Sequence, residues 1–206
     1  MVQPRVQPRR LPQRSMLWFA AVAFERINVV GTSGSGKTTF ARRLAQALGL
    51  PYYEMDALYW KPGWQEPSDA EFMARIQEVT QQSRWVLDGN YSRTQPIKWK
   101  RVEQVIWLDL PFLATVLRVT ARTVRRSFTR VELWPGTGNR ESLREAFLSR
   151  KSIIGWSIRQ HGRNRARYPD LMAAPEYAHV SFVRLRSDDE ARRFLEEDST
   201  ARAPGR

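Results

Sequence analysis

Eight consecutive residues, Gly31-Thr32-Ser33-Gly34-Ser35-Gly36-Lys37-Thr38, have the types and spacing of a phosphate-binding loop, or P-loop. The pattern is a glycine, four variable residues, then glycine, lysine and a hydroxyl residue. The glycines let the backbone curl so that successive N–H groups point at phosphate oxygens. A helix starting at the loop adds its positive end. The expected binding set is Gly31, Ser33, Gly34, Ser35, Gly36, Lys37, Thr38 and Thr39. Lys37 has the reach for the β and γ phosphates, and the Thr38 hydroxyl is placed to hold Mg²⁺. The implied ligand is a nucleoside triphosphate, ATP with Mg²⁺.

Carboxylates follow at places where a neighbouring strand would end. Asp88 closes the apolar run Trp85-Val86-Leu87, the position from which a carboxylate orders Mg²⁺ directly or through water. The competing reading of Asp88-Gly89-Asn90 is a simple turn. Asp109 ends the next apolar run and is read as an N-cap for a helix opening at Pro111. Glu54 and Asp56 lie two apart, so a persisting strand would put both on one side. Asp56 is the candidate base or orienter of an acceptor hydroxyl. The competing reading of this pair is a solvated strand end.

Arginines form the strongest charge signal. Arg118, Arg122 and Arg125 fall at helical spacing on one face, with Arg126 on its edge and Arg130 beyond. No acid lies between them. A planar guanidinium binds two phosphate oxygens at once, and such groups stabilise migrating phosphoryl charge. Arg122, Arg125 and Arg126, with Lys37, Asp56 and Asp88, make up the expected catalytic set. The bland reading is a solvated basic face. Among the tryptophans, Trp60 and Trp64 stand beside Asp56 and offer faces for stacking.

The elements that must position these groups are legible. The expected strands are Arg26 to Val30, Tyr52 to Met55, Trp85 to Leu87, Gln104 to Leu108, and Val180 to Leu185. Helices are expected over Lys37 to Leu48, after the capping box Ser68-Asp69-Ala70-Glu71, after Pro111, from Glu141 to Gln160, and after the capping box Ser187-Asp188-Asp189-Glu190. Phe112, Val116, Val119 and Val124 are the expected inner face of the helix after Pro111. Residues 127–139 read as a loop and 161–178 as irregular. Strands alternating with helices imply a three-layer α/β fold, a parallel sheet covered on both faces. Ligands in such sheets bind at the C-terminal strand ends, which puts the P-loop, Asp56, Asp88 and Asp109 near one rim.

The bulk numbers agree with one soluble domain of 206 residues. There is no cysteine, so no disulfide or thiolate metal site is possible, and His161 and His179 are too few for a zinc site unless carboxylates complete it; two ordinary surface or core imidazoles are the expectation. The net charge of +13 is uneven: residues 98–167 hold sixteen basic and five acidic side chains, and the other segments nearly cancel. That middle segment favours a polyanion, either a nucleotide's phosphates or nucleic acid. Residues 1–25 read as a basic, Pro- and Gln-rich disordered extension or as an over-extended start with Met16 as initiator. The stretch Met16 to Phe24 also has some features of a secretory leader, but an ATP user belongs in the cytoplasm. No apolar run is long enough for a spanning helix, and residues 199–206 read as a tail.

Taken together, the P-loop, Asp56 with Trp60-Lys61-Pro62-Gly63-Trp64, Asp88-Gly89-Asn90-Tyr91, the arginine helix and Gly138-Asn139-Arg140-Glu141 resemble one known group. It is the adenylate-kinase-related P-loop kinases of the DNA-topology-modulation-protein-like group, and the resemblance covers about residues 26–198. It implies a five-stranded core of order 2-3-1-4-5, an acceptor side formed by residues 56–82 and a mobile lid at about 122–141. No Gly-Phe-Pro-Arg type of motif follows the third strand, as it does around AMP in adenylate kinases. The acceptor is therefore left open.

The expected function is a Mg²⁺-dependent kinase moving the γ-phosphoryl group of ATP to a small-molecule or nucleotide acceptor near Asp56, Asp88 and Arg93. The alternative is a nucleic-acid-associated ATPase or polynucleotide kinase that uses the basic segment 98–167. A nucleotide-dependent switch without turnover ranks third.

Overall fold

The computed structural model describes residues 24–142 and 153–201. The expectations for the N-terminal extension, the first half of the helix from Glu141, and most of the C-terminal tail fall outside these residues. Five parallel strands form one sheet in the order β2-β3-β1-β4-β5. They are β1 (Arg26–Gly31), β2 (Tyr52–Glu54), β3 (Trp85–Asp88), β4 (Gln104–Leu108) and β5 (Ser181–Leu185). β1 sits at the centre, with Val29 in register with Asp88 on one side and Ile106 on the other. The C-terminal ends of β1, β2 and β3 therefore meet at one rim, and β4 delivers Asp109 next to it.

Helices cover both faces. One core packs α1 (Lys37–Leu48) and α7 (Asp188–Ala201) on the sheet through Phe40, Leu44, Leu48, Ile27, Val29 and Ile106. The other packs α2 (Met55–Tyr59) and α3 (Asp69–Gln81) through Met55, Phe72, Ile76, Trp85, Leu87 and Trp99. These side chains are nearly solvent-free, and burying one apolar side chain of this size contributes roughly 1.5–3 kcal/mol. Ser68 accepts from the Glu71 N–H and Ser187 from the Glu190 N–H, so both expected caps form. α1 ends at Gly49, whose N–H closes on the Gln46 carbonyl.

Four expectations about elements are corrected. β2 stops at Glu54, and Met55 opens α2, because Met55 and Tyr59 turn into the core at helical spacing. α5 (Phe112–Thr129) runs three residues into the expected loop before Arg130 ends it in a left-handed conformation. Its inner face is Thr115, Val119 and Thr123, while Leu113, Leu117 and Phe128 are 69–75% exposed. The small inner residues allow close backbone approach to the P-loop, which a row of large apolar side chains would prevent.

The fourth correction is α6 (Ile153–Ala173), which is helical through most of the segment expected to be irregular. Ser157, His161, Asn164 and Tyr168 recur at four, three and four residues and are all buried. That face offsets the helix hydrogen bond that Pro169 cannot make. Short α4 (Gln95–Lys98) follows a 3-10 turn at Ser92–Thr94 and completes the helices.

Candidate functional site

The P-loop joins β1 to α1, so the backbone curl between Gly31 and Lys37 opens directly onto a helix N-terminus. Its curl is held by the Ser35 N–H on the Thr32 carbonyl at 3.0 Å. Gly34 has φ +88, and a Cβ there would lie 2.1 Å from the Thr115 carbonyl oxygen. Only glycine lets α5 press so closely on the loop. α6 also lies on it: the Ser157 hydroxyl donates to the Ser33 carbonyl at 2.9 Å, and the Asn164 amide to the Thr32 hydroxyl at 3.3 Å. Thr39, in the expected binding set, is exposed on the first turn of α1.

Asp88 reaches the loop as the strand register requires. Its Oδ2 accepts from the Thr38 hydroxyl at 2.6 Å and from the Tyr52 hydroxyl at 3.2 Å. Its Oδ1 is buried and has no partner among the described residues. Burial pushes the carboxyl up from its ordinary range; the Lys37 ammonium and the Thr38 hydroxyl oppose this, and Asp56 and Glu54 reinforce it. A buried carboxylate with one free oxygen, bonded to the P-loop hydroxyl, fits a Mg²⁺ ion carrying waters and phosphate oxygens. Asp88 and Thr38 are the residues that would hold it.

Asp56 and Glu54 separate. With the strand ended, Asp56 sits in the first turn of α2 and accepts from the Tyr91 hydroxyl at 2.8 Å. Burial and the Asp56 carboxylate raise the Tyr91 phenol, keeping it a neutral donor. Glu54 accepts from Arg42 at 3.0 Å and from the Trp134 indole at 3.2 Å. Arg93 pairs with Asp69 and lies over the rings of Tyr59 and Phe72, at the outer edge of the same region.

The arginines of the expected face meet different partners. Arg118 turns to Asp188 on α7, Arg125 is exposed, and Arg126 pairs with Glu141 at 2.9 Å. Arg122 alone is folded under α5, with Nε buried and unpartnered. Burial and neighbouring Arg126 lower its pKa from the ordinary value, while Glu141, Asp56 and Glu54 raise it. Arg118, Arg122 and Arg125 share a helical phase but meet different neighbours along the 18 residues of α5.

Asp109 is also corrected. It does not cap α5, whose N-cap is Pro111. It is buried and binds Arg165 at 2.7 Å and Arg184 at 2.5 Å, tying α6 to β5. Its partners lie 56 and 75 residues away, beyond any local signal.

The loop at 130–142 closes on the segment after α2. Asn139, fully buried, donates to the Lys61 carbonyl at 3.0 Å and accepts from the Trp64 N–H at 2.8 Å. Trp60, Trp64 and Trp134 stack edge to face at 5.2 and 5.8 Å. The tryptophans beside Asp56 are therefore engaged with one another and with the loop.

Sequence reasoning missed three groups here. Asn90 brackets Gly31, accepting from its N–H at 2.9 Å and donating to its carbonyl at 2.8 Å. Ser157 and Asn164 were legible in the spacing of polar residues along α6. Lys98, buried beside Gly89 and Asn90, carried no sequence signal.

The sheet order, the loop between β1 and α1, and Asp88 against Thr38 decide the architecture. This is a P-loop nucleotide-binding fold. A family model described as the ATPase family associated with various cellular activities (AAA) matches residues 27–109, from β1 to the end of β4. Over 110 residues the chain is 32% identical to chloroplastic shikimate kinase 3 of Oryza sativa subsp. japonica, covering 46% of this chain and 38% of that one. Over 97 residues it is 36% identical to the shikimate kinase of Synechococcus elongatus, covering 40% and 51%. The chain thus spans about half the length, or less, of the curated relatives it matches. Among solved structures it is similar to a shikimate kinase from Acinetobacter baumannii in complex with shikimate, at 21% identity and TM-score 0.49, covering 88% of this chain and 96% of that one. It is also similar to a gluconokinase from Sinorhizobium meliloti, at 16% identity and TM-score 0.47, covering 86% and 90%. No helix among the described residues is long and apolar enough to cross a membrane.

Proposed function

We propose that this protein is a Mg²⁺-dependent kinase that transfers the γ-phosphoryl group of ATP to a small hydroxylated acceptor. The observation that carries the reading is Asp88, which bonds Thr38 at the P-loop and keeps a second oxygen buried and unpartnered. The partial matches to shikimate kinases support phosphoryl transfer to a small molecule. The stretches 88–91 and 138–141, which carry the resemblance to the DNA-topology-modulation-protein-like kinases, both lie at or beside this rim.

In the proposed mechanism Lys37 and the loop N–H groups hold the phosphates, and Thr38 with Asp88 would hold the metal. Mg²⁺, when bound, supplies charge neutralisation at the β and γ oxygens. Asp56, oriented by the Tyr91 hydroxyl, faces the acceptor hydroxyl and takes or orients its proton. Arg122 stabilises charge on the phosphoryl group in flight. The 130–142 loop, clasped through Asn139 and Trp134, acts as the lid that excludes water.

The nucleic-acid reading has less support. Within residues 98–167, Arg118 pairs with Asp188, Arg126 with Glu141 and Arg165 with Asp109, and Arg167 and Arg101 donate to the Gln95 side chain and to the carbonyls of Thr80 and Gln81, so these five side chains are committed inside the fold.

The test is an acceptor screen with γ-labelled ATP across sugars, sugar acids, cyclic polyols, nucleosides and nucleotides, with Lys37→Ala in parallel. Label should pass to one hydroxylated compound in the wild type and not in the variant. ATP hydrolysis unstimulated by every acceptor would overturn the kinase reading.

A further inference from the structure

We infer that Lys98 is a positioning residue: its buried amine aims the loop after β3 and so keeps the P-loop entry and the Asp56 carboxylate in one arrangement. The inference deepens the kinase reading and rests on it for its catalytic consequence.

Lys98 is 1% exposed at the end of α4. Its Nζ donates to the Asn90 carbonyl at 2.6 Å and to the Gly89 carbonyl at 3.1 Å, with Met55 Sδ at 3.7 Å. It takes part in no ion pair among the described residues. Burying an ammonium without a carboxylate partner costs several kcal/mol, and a methionine would fill the same space without that cost. What a methionine cannot supply is hydrogen-bond donors.

The two carbonyls need them. Neither Gly89 nor Asn90 receives a main-chain N–H in the turns and loops described. Among the described residues the one further donor is the Asn28 amide, at 3.3 Å from the Gly89 carbonyl. The backbone at Gly89 is tightly held: φ is +145, and a Cβ there would lie 2.7 Å from Met55 Cβ on α2. A rotation of either peptide plane would carry its neighbours with it.

Those neighbours are the working residues. Asp88, one residue earlier, bonds Thr38. Asn90 clamps both polar groups of Gly31, the first P-loop residue. Tyr91, one residue later, donates to Asp56. One amine thus fixes two peptide planes on which the metal carboxylate, the loop entry and the acceptor carboxylate all depend. Misplacing reacting groups by about 1 Å can cost on the order of 100-fold in rate.

The experiment compares wild type, Lys98→Met, Lys98→Gln, Asn90→Ala and the Lys98→Met/Asn90→Ala double variant as full-length protein. Lys98→Met should lower kcat by roughly 30- to 100-fold and change KM for ATP less than about threefold, because Lys37 and the loop N–H groups stay in place. Lys98→Gln, which keeps N–H donors, should recover part of the rate. The double variant should be little worse than either single one, because both act through the same loop.

A second readout needs no acceptor. Amide hydrogen exchange in Lys98→Met should accelerate at Gly31, Gly89 and Thr94 and leave α1 and α3 unchanged. If no acceptor is found, the kinase reading fails while this readout still judges Lys98. If Lys98→Met does not fold, Lys98→Gln and Asn90→Ala carry the same exchange test. Local exchange unchanged, acceleration spread evenly over the sheet, or kcat within twofold of wild type would each overturn the inference.

Discussion

Lys98 should make the stability of this protein rise with pH between 7 and 9, opposite to the expectation for a lysine that gains a carboxylate partner. Burial and the nearby Arg167 guanidinium pull the amine down to about 7, with Asp88 opposing them weakly. In the unfolded chain it titrates near 10.4, so between the two values the unfolded state binds the extra proton. Stability therefore increases as pH rises through this window. Binding that proton in the unfolded state costs the fold about 4 kcal/mol at pH 7 and about 2 kcal/mol at pH 9, a gain of about 2 kcal/mol. For a chain of this size that is roughly 4–8 °C in Tm. Above pH 10 the buried phenols of Tyr52, Tyr91 and Tyr168, whose pKa values are raised by burial, reverse the trend, because the unfolded chain then loses protons the folded one keeps. The assay is urea unfolding of wild type and Lys98→Met at pH 7, 8 and 9. The difference between the two curves isolates the lysine from every other titrating group. Curves that stay parallel across this range would refute the reasoning, since they would mean that the amine is hydrated or paired in the folded state.

Two further outcomes follow from the site. Asp88→Asn should remove most of the Mg²⁺ dependence of ADP binding in calorimetry and lower turnover by about 10²–10³-fold, because a unit charge about 4 Å from a cation is worth several kcal/mol at an effective dielectric near 20. Stability at pH 7 should not fall, because burial already disfavours the Asp88 charge; unchanged Mg²⁺ dependence would remove Asp88 from the metal site. Gly34→Ala forces a Cβ against the Thr115 carbonyl at a left-handed φ and should cost about 2–4 kcal/mol. A melting temperature lowered by less than about 2 °C would show that α5 does not rest on the loop.

The features legible in the chain were the local ones. A P-loop is a run of eight residues whose glycines, lysine and threonine work through backbone they themselves shape. Ser68 and Ser187 cap their helices through N–H groups three residues away. The short, mostly apolar segments at 27–30, 85–87 and 105–108 become central strands, buried on both faces of the sheet. From these, the order of helices and strands and the rim holding the P-loop, Asp88 and Asp56 could be inferred.

Tertiary structure decided what those groups meet. Period alone says that α5 has faces but not which one turns inward; the P-loop needs small residues there, so Thr115 and Thr123 are buried and Leu113 and Leu117 are not. Asp109 looks like a cap until Arg165 and Arg184 arrive from distant segments. Lys98 looks like any surface lysine until the packing of β3, α2 and α4 closes water away from it. Charge and hydrogen-bonding capacity are properties of a residue, whereas burial and partners belong to contacts made across long stretches of chain. The sequence by itself therefore determined which phosphate-binding chemistry is present, and only the folded sheet decided which arginine, lysine and carboxylate stand within reach of it.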